Sequence, residues 1–166
     1  MTGASYTLVE LSKLLNNLLR IGVLSQVDTD SAKVRVKSGD LETNWIPWLS
    51  ARAGKNAQWN PPEVGEQVMM LSPGGDLAQA VALPALYSTA NPAPSKDKAV
   101  FKDLFKNGDY IQHDNNSGVL TLKATSIRIL GPVTQTGGDM TSDGVSAQHH
   151  THGGVLSGPA STGAPN

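Results

Sequence analysis

The sequence predicts a mainly β protein that begins with one short helix and ends in a segment that cannot fold alone. Three observations predict this fold class. The 166 residues include 17 glycines and 10 prolines, which favour turns over long helices. Helical spacing of leucines occurs only near the N-terminus, whereas later segments alternate apolar and polar residues over short stretches. The strand-like stretches after residue 100 contain few large side chains.

Residues 1–22 are expected to form the N-terminal helix. Thr7 and Glu10 have the spacing of a capping box, in which each side chain binds the other residue's backbone amide. Gly22 is the expected end of the helix. Leucines recur every three or four residues and form an apolar seam, which can pack on its own domain or against other copies of the chain. The seam consists of Leu8, Leu11, Leu15 and Leu18.

Residues 23–87 are expected to form a small β-barrel. About five short strands separated by turn residues occupy this segment, and in one of them Val34 and Val36 alternate with charged side chains. This number and spacing of strands favour the OB-fold. The three tryptophans are expected to pack in the core or at its rim, the alternative being a surface on which bases stack. They are Trp45, Trp48 and Trp59.

The remaining chain is divided into a linker at residues 88–100, a shaft at residues 101–146 and a tip at residues 147–166. Short strands with apolar residues on both faces would expose unpaired edges and bury little apolar area in one chain. Intertwining with identical chains would pair those edges and place one apolar column on a shared axis. A flexible Gly/Ser tail is the other interpretation, but it does not explain the alternation from Ile111 to Val133.

Composition excludes several classes of protein. The formal charge of -1 gives no electrostatic reason to expect nucleic-acid binding. Cysteine is absent, which excludes disulfides and thiolate-ligated metals. No apolar run approaches the roughly 18 residues of a membrane span, and the N-terminus lacks the basic region of a signal peptide. We therefore expect synthesis and folding in a cytoplasm.

The stretch from His149 to His152 contains three of the four histidines. His150 and His152 are two residues apart, so on an extended chain both would point to one face and His149 to the other. Two imidazoles bind a transition metal weakly, but three chains around a threefold axis would supply six nitrogens. Such an octahedral set suits Fe(II) or Ni(II) better than structural zinc. With no open position for water or substrate, the site would be structural.

The spacing of the two histidines poses a geometric difficulty. On an extended strand they are separated by about 6.6 Å, which exceeds the distance between opposite faces of a metal octahedron. The side chains must therefore lean towards each other, or the backbone must turn at Thr151.

Several segments together resemble a known family. The motif "HTHGG" at residues 150–154 is followed by "SGPASTGAPN" at the end of the chain. The segments "NWIPWLSARAG" and "GEQVMMLSPGGD" resemble that family's OB-fold, and "NGDYIQHDNNSGVLTL" resembles the start of its shaft. The family is baseplate assembly protein V, the central tail spike of contractile-tailed phages, with related spikes in phage-tail-like bacteriocins. The resemblance covers nearly the whole chain.

The resemblance implies a homotrimer with an N-terminal helix, OB-fold barrels and an intertwined trimeric β-helix with a metal-capped tip. One iron ion per trimer would be held by six nitrogens, from His150 and His152 of each chain. The implied function is structural: a membrane-piercing needle at the end of the tail tube. Its implied partners are baseplate hub and tail-tube proteins and the host outer membrane, with no nucleic acid. The protein would be synthesised in the host bacterial cytoplasm and reside in a virion baseplate or a bacteriocin particle.

Two other classes of function make different predictions. An enzyme with a histidine-bound metal would need an open coordination position and a general base, and no acidic residue follows Asp143. We therefore expect no enzymatic activity. An OB-fold module that binds ligands or nucleic acid and carries a trimerisation tail would expose its tryptophans. The spike interpretation predicts buried tryptophans and a trimer that survives dilution.

Overall fold

The structure, a computed structural model, describes residues 7–151 and 154. It forms two units, one ending at Lys123 and one beginning at Ala124. None of the helices in these residues has the length and apolar character to cross a bilayer. The helix and strands in chain order are α1 (Leu8–Leu18), β1 (Leu19–Asp28), β2 (Lys33–Ser38), β3 (Leu41–Glu42), β4 (Ile46–Pro47), β5 (Gln67–Leu71), β6 (Val81–Leu86), β7 (Val100–Leu104), β8 (Tyr110–Asp114), β9 (Val119–Lys123), β10 (Thr141–Ser142) and β11 (Val145–Ser146). Two 3-10 helices, Pro73–Gly75 and Leu77–Gln79, lie between β5 and β6.

Helix α1 begins with the predicted capping box. The Thr7 backbone N–H donates to Glu10 Oε2 at 2.8 Å, and the Glu10 backbone N–H donates to Thr7 Oγ1 at 3.2 Å. The hydrogen bonds from Thr7 hold the pKa of the Glu10 carboxyl below its usual value. The predicted end at Gly22 is wrong, because the helix ends at Leu18 and residues 19–22 belong to β1. Those residues pair with β5, and this tertiary pairing overrides the helical spacing.

Strands β1 to β6 form the predicted barrel. The hydrogen-bonded order is β3-β2-β1-β5-β6, and β4 also pairs with β2. A parallel bridge joins Trp48 to Ala82, and the Leu49 backbone N–H donates to the Ala82 carbonyl at 2.8 Å. These contacts connect the residues that follow β4 to β6, and since β4 pairs with β2 they close the sheet on itself. Closure of a short five- or six-stranded sheet in this way agrees with the predicted OB-fold.

The core lies inside this barrel and consists of small and aliphatic side chains. Trp48 is half-buried and packs against it. The Trp59 ring lies 5.7 Å from the Trp48 ring but is 62% exposed, and Trp45 is 43% exposed. Of the two expected positions, core or rim, the tryptophans take the rim, because so narrow a barrel leaves little room for indoles inside. The buried tryptophans that the spike interpretation predicts are not found in one chain. The core residues are Leu24, Val34, Val36, Ile46, Val68, Met70, Ala80 and Ala82.

Strands β7, β8 and β9 form a separate three-stranded antiparallel sheet in the first unit. No helix or strand lies between the end of β6 and the start of β7. An exposed ion pair joins Lys106 Nζ, after β7, to the Glu63 carboxylate at 3.1 Å. Successive residues Val119 and Leu120 are both exposed, at 53% and 61%. A single chain therefore covers neither face of β9.

The second unit contains one hairpin, β10–β11, among its described residues. Asp143 and Gly144 form its turn with φ of 48° and 81°, as an Asp-Gly hairpin turn requires. The strand pattern predicted at Ile127 and Ile129 is not realised, and both side chains are more than half exposed. A strand needs a partner for its backbone groups, and one chain supplies none at these residues.

Gly22 tests the packing of β1 against β2. A Cβ at Gly22 would lie 2.5 Å from Val36 Cγ1 and 2.8 Å from the Lys37 carbonyl oxygen. Gly22→Ala should therefore lower the free energy of unfolding by about 1–3 kcal/mol. Gly54→Ala is the matched control, because the nearest atom to its Cβ would be 4.0 Å away. Denaturant unfolding followed by tryptophan fluorescence measures both, and equal stabilities would contradict this packing.

Candidate metal-binding tip

The chain turns immediately before the predicted metal ligands. Strand β11 ends at Ser146, and residues 147–149 form a turn that leads to His150. The Ala147 backbone N–H donates to the Met140 carbonyl at 2.7 Å and ties this turn to β10. The backbone leading into His150 is therefore not extended. The prediction that places His150 and His152 on one face assumes an extended backbone. His152 lies outside the described residues.

The ring of His150 folds back over the turn. Its Nδ1 lies 2.8 Å from the carbonyl oxygen of Ser146, four residues earlier. A carbonyl oxygen can only accept, so Nδ1 carries the proton and donates it. In the neutral ring Nε2 then holds the lone pair that a metal requires. Metal-binding histidines commonly donate their other ring N–H to a backbone carbonyl, so this arrangement suits a ligand.

Asp139 supports the same turn. Its carboxylate accepts from the Ser146 hydroxyl and from the Gln148 backbone N–H, the latter at 3.2 Å. These hydrogen bonds, the Ser146 hydroxyl foremost, lower the pKa of Asp139 below its ordinary value of 3.8. The Gln148 side-chain amide also donates to the Gly138 carbonyl at 2.9 Å. The residue whose carbonyl holds His150 is thus fixed by an ionised carboxylate.

The other two histidines lie in different settings. His149 is exposed, and its backbone N–H donates to Ser146 Oγ at 2.6 Å. His113 lies in β8 with Nδ1 3.2 Å from Asn115 Oδ1. It is half-buried because β8 is the central strand of its sheet.

The donor chemistry of the tip fits a transition metal as far as it is described. His150 Nε2 is an imidazole donor of the kind that iron accepts. Within residues 7–151 and 154, however, no group of three or more His, Cys, Asp or Glu side chains could hold an ion. A metal at this tip would therefore need ligands beyond those that the described part of one chain brings together.

Sequence reasoning named His150 and His152 but missed the residues that hold the turn. Ser146, Asp139 and Gln148 supply those contacts. One sequence signal was available: Asp139 and Asp143 are the only charged residues after Arg128. Asp143 is explained by the hairpin turn, which leaves Asp139 as an isolated carboxylate in need of partners.

Known proteins match both ends of this architecture. Residues 20–87 match the family described as the Type VI secretion system/phage-baseplate injector OB domain. Residues 144–166 match the GpV Apex motif. The spike protein of Escherichia phage P2 is 37% identical over 130 residues, which cover 76% of this chain. The chain spans about 62% of the length of that relative.

The matched regions coincide with the structural features described above. The OB-domain match covers β1 from its second residue onwards and all of β2 to β6. The apex match contains β11, the turn after it and both predicted ligands, His150 and His152. The alignment with the phage P2 spike protein is longer than either of them. The chain therefore belongs to the baseplate V and central spike family.

Proposed function

We propose that this chain forms the homotrimeric, membrane-piercing spike at the end of the tail tube in a contractile injection system. The observation that carries the proposal is the 37% identity to the phage P2 spike protein, together with the apex match over the histidine tip. The role is structural and not enzymatic. The OB barrels would attach to the baseplate hub and tail-tube proteins, and the tip would meet the host outer membrane.

Exposed apolar residues after the barrel support association of three chains in an intertwined β-helix. Phe101 and Leu120 in the β7–β9 sheet are each 61% exposed, and Leu130 in the second unit is 83% exposed. In the proposed shaft, residues 101–146 of three chains would supply the partner strands that Ile127 and Ile129 lack. Each Å² of apolar surface removed from water would stabilise the trimer by about 25 cal/mol.

The tip would be closed by imidazoles shared between chains. His150 and His152 of three copies would hold one iron ion octahedrally, and a bound ion would join the three chain ends against fraying. His150 would contribute Nε2, since its Nδ1–H donates to the Ser146 carbonyl. Asp139 would hold the turn that sets the direction of this ring. His149 would not be a ligand.

The proposed role is mechanical and sets where the protein resides. Contraction of a sheath would drive the tube and its spike against the host envelope, and a narrow tip would concentrate that force on a small area. An intertwined trimer resists it because many backbone hydrogen bonds bear the load together. The protein would be synthesised in the host bacterial cytoplasm and reside at the baseplate tip of a virion or of a phage-tail-like bacteriocin.

The exposed tryptophans favour one alternative function. Trp59 and Trp45 leave indole surface open at the rim of the barrel, where an OB-fold can stack bases or sugars. The formal net charge of -1 argues against a polyanionic ligand. This alternative is an OB-fold ligand- or nucleic-acid-binding module with a trimerisation tail.

Replacement of both proposed ligands tests the tip. In the double variant His150→Ala, His152→Ala, iron should fall from one ion per trimer to none, while the trimer persists because the shaft buries most of the apolar area. Elemental analysis and light scattering of the purified protein measure the two quantities. His149→Ala is the control and should retain iron. Iron retained by the double variant would refute the ligand assignment, and dissociation to monomers would refute the role of the shaft.

Acid should loosen the tip turn in a manner that depends on Asp139. Its pKa is lowered in the folded turn, so its contribution is complete above the ordinary value of 3.8 and is lost as the pH falls through the lowered pKa. Hydrogen exchange of residues 138–149, corrected for intrinsic rates, should show this loss of protection in acid. Asp139→Asn should lack the acid step, whereas the control Asp143→Asn should keep it. An unchanged acid step in Asp139→Asn would contradict the proposed contacts.

Titration with ligands distinguishes the spike from the OB-fold binding module. Single-stranded oligonucleotides and oligosaccharides should cause no saturable change in the tryptophan fluorescence of the trimer at low ionic strength. A saturable change that disappears in Trp59→Phe would favour the binding module instead.

A further inference from the structure

The outer surface of the barrel is charged on one strand and apolar on three others. On β2 the outward residues are Lys33, Arg35 and Lys37, which alternate with the buried Val34 and Val36. On β1, β5 and β6 most of the residues that alternate with the core are themselves apolar, the exception beside Val23 being Gln67. We call these seven the outer apolar face: Leu19, Ile21, Val23, Met69, Leu71, Val81 and Leu83.

The strand register places these side chains in rows. Leu19 pairs with Leu71, which pairs with Val81, and Ile21 pairs with Met69, which pairs with Leu83. The exposed fractions of Leu19 and Ile21 are 62% and 57%. Soluble OB barrels need only one apolar face, the one inside the barrel. A second, contiguous apolar face indicates a binding surface.

Helix α1 presents a second apolar surface. The seam residue Leu8 is 86% exposed and Leu15 is 57% exposed, and no described side chain of α1 is buried. The helix touches its own barrel through Leu14, whose Cα would lie only 2.6 Å from a Cβ placed on Gly75. The Leu18 carbonyl also accepts from the Ser72 backbone N–H at 2.9 Å, but the side chains of Leu8 and Leu15 stay mostly exposed. A helix of 11 residues is only marginally stable without tertiary packing, so burial of the seam would stabilise α1 further.

The seam cannot cover the outer apolar face of its own chain. Helix α1 ends at Leu18 and β1 begins at Leu19, with no connecting residue between them. Leu19 is already extended, with φ of -135° and ψ of 123°. A helix that runs directly into a strand cannot fold back over that same strand. The seam and the outer apolar face of one chain therefore cannot cover each other.

We propose that the seam of α1 from one chain packs on the outer apolar face of a neighbouring copy. Each chain would give its helix to one neighbour and receive a helix from the other, a heterologous contact that closes into a ring of three. The inference goes beyond the metal tip and depends on the proposed function only for the trimer. The sequence leaves two partners open for the seam, its own domain and another copy of the chain, and this inference selects the other copy.

The dimensions and number of the two surfaces favour a second copy as the partner. From Leu8 to Leu18 the seam is about 15 Å long. The outer apolar face is about 13 Å long from Leu19 to Val23 and about 10 Å wide across three strands, the width of one helix. Every copy carries one of each surface. A coiled coil of three α1 helices would leave the face bare, and 11 residues are fewer than two heptads.

Disulfide crosslinking in the full-length protein tests this packing, because the chain contains no cysteine of its own. The pair Leu15→Cys with Ile21→Cys should give covalent dimers and trimers as the main products after mild oxidation and non-reducing denaturing electrophoresis. The matched control, Leu15→Cys with Arg35→Cys, places the second thiol on the charged strand and should remain mainly monomeric. The pair Leu11→Cys with Leu83→Cys repeats the test should the first pair perturb β1.

The outcomes separate this inference from the proposed function. Light scattering before oxidation reports the mass of each variant and of the wild type. A trimer that gives no interchain product with either pair would overturn the helix exchange and leave the spike proposal intact. Covalent dimers from Leu15→Cys alone would indicate a coiled coil of seams and would also overturn it. A monomeric wild type would overturn the proposed function itself.

Discussion

The small interior of the barrel limits how much apolar surface one chain can bury. Eight side chains fill the core, and none of them is aromatic. The tryptophans therefore lie at the rim, the β7–β9 sheet exposes apolar side chains, and the α1 seam lies bare. Such exposure is costly in water and is relieved when identical chains associate. Association of three chains, as proposed above, would bury part of this surface.

Local interactions made part of the fold predictable. The capping box at Thr7 and the alternation of Val34 and Val36 depend on residues close in sequence, and both were predicted correctly. The end of α1 was not, because pairing of β1 with β5 depends on residues about 50 positions away. The strand pattern at Ile127 is not realised in one chain for a related reason: none of the described strands of the same chain pairs with it.

At the tip, too, local sequence features could be interpreted, whereas contacts that depend on the folded turn could not. His150 and His152 were predicted to be metal ligands from their spacing and their position near the C-terminus, and this stays a prediction. The contacts of His150 could not be predicted, because a turn at residues 147–149 brings its ring back to the Ser146 carbonyl. The direction of this ring therefore cannot be read from residue spacing on an extended strand. The isolated carboxylate of Asp139 was the one hint that the sequence contained.

The direct junction between α1 and β1 determines how a pulling force is transmitted to the barrel. A pull on the helix is delivered along the axis of β1, which is hydrogen-bonded to β2 on one side and to β5 on the other. Rupture would then require ladders on both flanks to slide in shear, with their bonds strained together and not opened one after another. With no pliant hinge between helix and strand, little of a sudden impulse would be absorbed before it reaches the barrel.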